Sequence, residues 1–163
     1  MTDPEFLPRC DGTIALRAPS PDDASVLEAG RDAEFFRWLG AEADMEPPLA
    51  CIVVDEEVAG WIDYDVARSW LEEGEVNIGY FVLAKYRRRG CATRALELLL
   101  GYLRDETDYK VATLLIDTRN EWSLAVARRA RFSQVDDIGG GAFYFKRDVR
   151  ESRTLGDAAE QPA

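Results

Sequence analysis

The chain contains no histidine. Imidazole is the usual base near neutral pH and a frequent zinc ligand, so its absence removes Ser-His-Asp catalysis, Cys-His catalysis and histidine-ligated zinc together. Any general base must be a carboxylate, a tyrosine, or water held by one. Cysteine is nearly as scarce: Cys10, Cys51 and Cys91 are odd in number and far apart. That pattern argues against a disulfide framework and a four-cysteine zinc site, so no metal is expected. Cys91 stands in a basic stretch beside a helix start, where its pKa could fall, but a small apolar filler is the plainer reading. No uninterrupted apolar run approaches a spanning length, and the acidic N-terminus carries no secretory hydrophobic segment. Membrane association is therefore not expected, and the cytoplasm is the default location. A Gly-x4-Gly-Lys-Ser/Thr phosphate loop and a Gly-x-Gly-x-x-Gly fingerprint are both missing, and there is no internal repeat.

What remains is ordinary for a folded domain: 163 residues, 47% hydrophobic and 31% charged. This length supports one core without staples. The expected organisation is a loose lead-in over 1–12, a single domain over 13–149 and a polar, disordered tail over 150–163. Net charge is −11, and an acidic surface repels nucleic acid. Yet Lys85, Arg87, Arg88, Arg89 and Arg94 cluster without one acidic residue between them. A positive spot on an acidic body suits a small polyanion, and the acidic remainder favours a cationic second substrate such as an amine. Acidity that merely keeps the protein soluble is the competing reading.

The stretch from Val76 to Arg104 gives that spot a setting. Residues 76–83 are apolar, β-branched and aromatic, which predicts a buried strand. Leu96, Leu99 and Leu103 fall at helical spacing in the segment that follows. Between them lies a short basic loop with Gly90. A loop entering a helix presents N–H groups without internal partners at the positive end of the helix dipole, and so binds phosphate. Elsewhere strands are predicted at 13–17, 49–54, 58–66, 111–118, 132–135 and 142–146. Helices are predicted at 24–29, 33–39 and from Asn120 to about Arg131, with a three-residue hairpin loop at 55–57. Phe35, Phe36, Trp38 and Leu39 form an apolar face for core packing or for a cleft wall. The order β-αα-βββ-α-β-α-ββ is that of a mixed three-layer α/β domain.

Tyr86-Arg87-Arg88-Arg89-Gly90-Cys91-Ala92-Thr93-Arg94-Ala95-Leu96, preceded by Asn77-Ile78-Gly79-Tyr80-Phe81-Val82-Leu83, resembles motif A of the GNAT N-acetyltransferases. The nearest branch is the ribosomal-protein N-terminal acetyltransferase type. Asn120-x-x-Ser123 followed by Ala130-Arg131-Phe132 resembles the family's second motif, and Leu16-Arg17, Asp22-Asp23-Ala24 and Trp38-Leu39 also fit. The resemblance implies the GNAT fold, a central mixed sheet whose fourth and fifth strands splay apart between flanking helices. It implies acetyl-CoA as co-substrate, with no metal. Backbone amides of the loop (Arg88, Arg89, Gly90, Cys91, Ala92 and Thr93) would cradle the pyrophosphate, with Arg87 a further cofactor-binding residue that adds its charge. Tyr80, Phe81 and Val82 would pair with the pantetheine arm, and Asn120 would hold it. Gly79 would be a bulge where the splay begins. Ser123 matches a hydroxyl that protonates the departing thiolate.

The sequence also departs from the family. Arg131 replaces the glycine that ends the second motif, which implies a left-handed penalty on the order of 1 kcal/mol. Ala127 stands where many members have a tyrosine acid, and Asn77 where this branch has a glutamate. Glu75, two residues earlier, projects to the same face as Asn77. Deprotonating an α-amine at pH 7 costs roughly 1 kcal/mol, against roughly 4.6 kcal/mol for a lysine. The site therefore suits a peptide α-amine or a small low-pKa amine attacking directly, with Glu75, Asp63 or Asp65 acting through water. Trp61, Trp70 and Trp122 are core or rim residues, or one lines an amine pocket. A non-catalytic acyl-CoA-binding sensor, which needs no acid or base, is the alternative. The acceptor and the choice between monomer and homodimer are not readable.

Overall fold

A computed structural model describes Phe6 and residues 8–40, 47–137 and 140–151. The expected tail from 152 onward and the Ile138-Gly139 part of the glycine-rich turn lie outside the described residues. Eight strands form one mixed sheet in the order β1-β2-β3-β4-β5-β6-β8-β7. They are β1 (Arg9–Cys10), β2 (Ala15–Arg17), β3 (Ala50–Val54), β4 (Glu57–Asp65), β5 (Glu75–Val82), β6 (Val111–Asp117), β7 (Ser133–Asp137) and β8 (Ala142–Asp148). The helices are α1 (Asp23–Ala29), α2 (Ala33–Leu39), α3 (Cys91–Glu106) and α4 (Glu121–Arg129). The architecture is the mixed α/β GNAT fold expected from the resemblance. No helix among the described residues is long and apolar enough to cross a membrane.

Side-chain alternation assigns the two faces. Leu16, Ala50, Ile52, Ile62, Val76 and Val82 share one face, are essentially inaccessible, and pack under α3. The helix contributes Ala95, Leu96, Leu99 and Leu103 at the spacing that puts them on one stripe. The opposite face carries Cys51, Trp61, Phe81 and Gly79 and is covered by α1 and α2. Asp23 of α1 lies 3.7 Å from the Cys51 sulfur, and Phe35 of α2 packs edge-on against Phe81.

Several local expectations are corrected. Part of the lead-in is ordered: Phe6 is buried against Tyr102, and Arg9 bonds Asp105 at the end of α3. The β3–β4 turn has two residues, Asp55 and Glu56, both at positive φ, as a twisted hairpin requires. Gly79 is not a bulge, because the β4–β5 register runs unbroken through it; the β3–β4 ladder shifts instead between Ile52 and Val53. The glycine the ladder does need is Gly60, where a Cβ would stand 2.1 Å from the Phe81 carbonyl oxygen. Arg131 takes φ 60° after α4, with Phe132 N–H bonded to Ala127 C=O and Arg131 N–H to Arg128 C=O. That is a Schellman ending without its glycine.

Candidate active site

Strands β5 and β6 run parallel for only three rungs, ending at Asn77–Thr113. The Thr113 hydroxyl sits between the Val76 carbonyl (3.1 Å) and Asn77 Oδ1 (3.2 Å) and pins the last rung. Beyond it β5 stays with β4 as far as Gly60–Val82, while β6 stays with β8 as far as Asp117–Ala142. The sheet therefore forks. A cavity of about 430 Å³ fills the fork, lined by Ile78–Phe81 on one side and Leu114–Asp117 on the other. Glu34, Trp38 and Leu39 of α2 close one end and Asn120, Trp122 and Ser123 the other, so the cavity passes through the sheet.

Leu83 N–H donates to Ala59 C=O at 2.8 Å. Alternation along that ladder turns the backbone groups of Gly79 and Phe81 to β4, and those of Ile78, Tyr80 and Val82 to the gap. Backbone at the fork is thus available for pairing at Tyr80. The Val82 carbonyl is not, since it accepts from Arg87 Nε at 2.9 Å.

The loop follows at once. A 3-10 turn (Ala84–Tyr86) leads to Arg88 at φ 62° and Gly90 at φ 77°, and α3 begins at Cys91. Its first internal bond is Arg94 N–H to Gly90 C=O at 3.1 Å, so the amides of Cys91, Ala92 and Thr93 precede the helix ladder. The five basic residues divide into two sets. Lys85 pairs with Glu57 (2.9 Å), Arg94 with Asp11 (2.9 Å), and Arg87 forks onto both oxygens of Asp32 (2.7 and 3.0 Å). Asp32 also caps α2 by accepting from Phe35 N–H, and the Arg87 guanidinium holds its carboxyl below the usual range. Arg87, expected as a phosphate ligand, therefore latches α2 onto the loop. Arg88 and Arg89 are exposed and make no ion pair among the described residues. A small recess continues from the fork between Gly90–Thr93 and α4, flanked by Arg88 and Arg129. Arg129 was not anticipated, because helix spacing alone does not place it beside the loop. Cys91 is buried and burial pushes its thiol up, outweighing Arg89 and Arg94, as befits a filler.

The expected catalytic groups separate. Ser123 lines the cavity and is buried, and Asn120 caps α4 by accepting from Ser123 N–H at 3.2 Å. Glu75 lies below the fork, where the strands still pair. It is buried and bonded to Lys146 (2.5 Å), Tyr144 (3.3 Å) and the Glu72 N–H (3.1 Å). Burial opposes its ionisation, but those partners prevail and hold the carboxyl below its usual value. This carboxylate neutralises a lysine instead of facing the cavity. Asp63 is half-buried on the α2 side, paired across the ladder with Gly79, and accepts from Tyr64 N–H. Asp65 is engaged by Arg68 (2.7 Å). The carboxylates that do line the cavity are Glu34 and Asp117, neither anticipated. Asp117 is held at about 2 by Arg119, whereas Glu34 accepts from Trp38 Nε1 (2.8 Å) and makes no ion pair among the described residues. Of the tryptophans read as alternatives, Trp122 lines the cavity and Trp61 and Trp70 do not.

Comparison with known proteins places this geometry. Solved structures that superpose include an acetyltransferase of the GNAT family from Bacillus anthracis (15% identity, 85% of this chain and 96% of that one, TM-score 0.69). An aminoglycoside acetyltransferase, AAC(6')-Ib, in complex with coenzyme A gives 16% identity, 83% and 95% coverage and a TM-score of 0.70. RimL, a ribosomal alpha-N-protein acetyltransferase in complex with coenzyme A, gives 17%, 85% and 95%, with a TM-score of 0.68. At these identities the likeness is one of fold. No curated protein sequence gives a significant match. A family model described as an acetyltransferase (GNAT) domain matches residues 13–133, most of the chain, and the protein therefore belongs to the GNAT acetyltransferase family.

Proposed function

We propose that this protein is an acetyl-CoA-dependent N-acetyltransferase that acetylates a primary amine by direct attack. One observation carries the proposal: the open backbone edge at Tyr80 leads straight to a helix start flanked by two guanidinium groups, Arg88 and Arg89, that make no ion pair among the described residues. That sequence of groups fits a pantetheine arm ending in a diphosphate. Acetyl-CoA would supply the activated thioester carbonyl. Arg88, Arg89 and the amides of Cys91, Ala92 and Thr93 would hold the diphosphate, with Arg129 beside them. Asn120 and Ser123 would face the thioester end of the arm. The acceptor would enter from the α2 side, where Glu34 and Asp117 favour a cation and Trp38 offers an apolar wall. Glu34 replaces Glu75 as the carboxylate able to take the ammonium proton, directly or through water. A single modest base suits an amine of low pKa, in keeping with an α-amine acceptor of the RimL kind.

Calorimetric titration with acetyl-CoA at low and high salt tests the first half. Binding that weakens steeply with salt is expected, and no binding at low salt refutes the reading. A thiol-release assay on N-terminal peptides and small amines tests the second half. The engagement of Glu75 by Lys146 and the alanine at 127 favour the rival reading, a non-catalytic acyl-CoA sensor. Tight binding without turnover on any acceptor would decide for it.

A further inference from the structure

We propose that Arg87 and Asp32 are positioning residues for the acceptor amine: their ion pair fixes the start of α2 and so sets the Glu34 carboxylate at the mouth of the fork, where it takes the ammonium proton. This rests on the N-acetyltransferase reading above, and it gives Arg87 a task on the acceptor side of the fork instead of at the diphosphate.

Helix α2 needs such a tie. It has seven residues, about two turns, and a helix so short is not stable by itself. Phe35 is its one buried residue, seated edge-on against Phe81 with centroids 5.0 Å apart. A single aromatic contact fixes one point and leaves the helix free to pivot about it. Asp32, the N-cap, fixes a second. Its carboxylate accepts from Phe35 N–H at 3.1 Å, from Arg87 Nη1 at 2.7 Å and from Arg87 Nη2 at 3.0 Å. The same guanidinium donates its Nε–H to the Val82 carbonyl at 2.9 Å and lies over the Phe81 ring, 5.0 Å from its centroid. Three N–H groups in one rigid plane thus lock together the end of β5, the loop and the first turn of α2. A lysine has no such fork.

Glu34 stands two residues beyond the cap and lines the cavity. Trp38 Nε1, one turn further along, donates to Glu34 Oε2 at 2.8 Å. The carboxylate is therefore oriented from within α2 and moves with it. Its place over the fork matters because the reaction begins there. One ammonium proton passes through Glu34 to water, and the freed lone pair bonds to the thioester carbon. The carbon–sulfur bond breaks with its electrons on sulfur, and the second nitrogen proton ends on that thiolate. Misplacing a reacting group by about 1 Å costs roughly a hundredfold in rate, so a pivot of α2 is felt at this first step.

Asp32→Asn is the sharpest variant, because asparagine caps a helix as well as aspartate does but cannot form the charged fork. Arg87→Gln removes the charge from the other side. Kinetics on the intact chain use acetyl-CoA with two acceptors, an alanyl tripeptide and phenethylamine. Each variant should lose about tenfold in kcat/KM for the amine, and the double variant no more than either. KM for acetyl-CoA and the calorimetric affinity for coenzyme A should stay within about twofold of the parent. In a Glu34→Gln background Asp32→Asn should cost less than about twofold more, since the group it positions is gone. Amide exchange over residues 35–39 should quicken in both single variants, while residues 95–103 of α3 keep their protection. Weakened coenzyme A binding with unchanged amine kinetics would return Arg87 to the diphosphate and overturn the proposal. So would full additivity of Asp32→Asn with Glu34→Gln, or unaltered exchange in α2. Failure of the parent chain to bind acetyl-CoA, or to acetylate either amine, would instead overturn the acetyltransferase reading itself.

Discussion

Replacing Arg88 should move stability and ligand affinity in opposite directions. Arg88 is exposed, sits at φ 62° and makes no ion pair among the described residues that would offset the strain. A left-handed L-residue costs roughly 1–2 kcal/mol. Glycine removes that penalty but adds roughly 0.5–1 kcal/mol of unfolded-state entropy. Arg88→Gly should therefore stabilise the chain by about 0.5–1 kcal/mol, a rise in Tm of about 2 °C for a chain of this size. Its charge is worth about 1 kcal/mol towards a diphosphate a few ångströms away at the surface, after screening. Affinity for acetyl-CoA should fall roughly fivefold at physiological salt. Two controls separate the effects. Arg88→Ala keeps the strain and loses the charge, so Tm stays near the parent value while affinity falls. Arg88→Lys keeps both. Scanning calorimetry and titration at two salt concentrations read the outcome. Equal Tm for the glycine and alanine variants refutes the strain argument, and unchanged affinity in the alanine variant refutes the phosphate role.

Three other substitutions probe the frame. Lys146→Met strands a buried carboxylate and should cost about 2–4 kcal/mol at pH 7 in urea denaturation. The folded Glu75 carboxyl lies below its ordinary 4.5, so its contribution is present above that pH and lost as pH falls through the folded value. The deficit of the methionine variant should accordingly narrow in acid; a deficit that grows there would be wrong in sign. Gly60→Ala drives a Cβ into the Phe81 carbonyl oxygen and should cost more than about 3 kcal/mol, by the same denaturation. Arg131→Gly relieves the Schellman position, should gain about 0.5–1 kcal/mol, and should leave coenzyme A affinity unchanged.

The legible parts of the fold are those written in local pattern. The leucines of α3, the run 76–83 and the Gly90 junction place strand, loop and helix within two residues of where they stand. What stayed hidden depends on partners distant in sequence. Lys85 and Arg94 read as phosphate charges until Glu57 and Asp11 arrive from elsewhere, and Arg87 until Asp32 does, 55 residues away. A strand of two residues such as β1 has no periodicity to detect, and is held by Arg9 and Phe6 against α3. Glu75 was placed on the correct face but at the wrong height, because period-two reasoning fixes the side of a strand and not the rung at which its neighbour departs. Glu34 was missed because nothing local links a residue of α2 to the fork.

The most direct test of the fork-and-loop site is amide hydrogen exchange resolved by residue, with and without acetyl-CoA. The amide of Tyr80 and those of Cys91, Ala92 and Thr93 should slow strongly when ligand is added, while Gly79 and Phe81, already turned to β4, change little. Protection spread evenly along β5, or absent from the start of α3, would contradict the site.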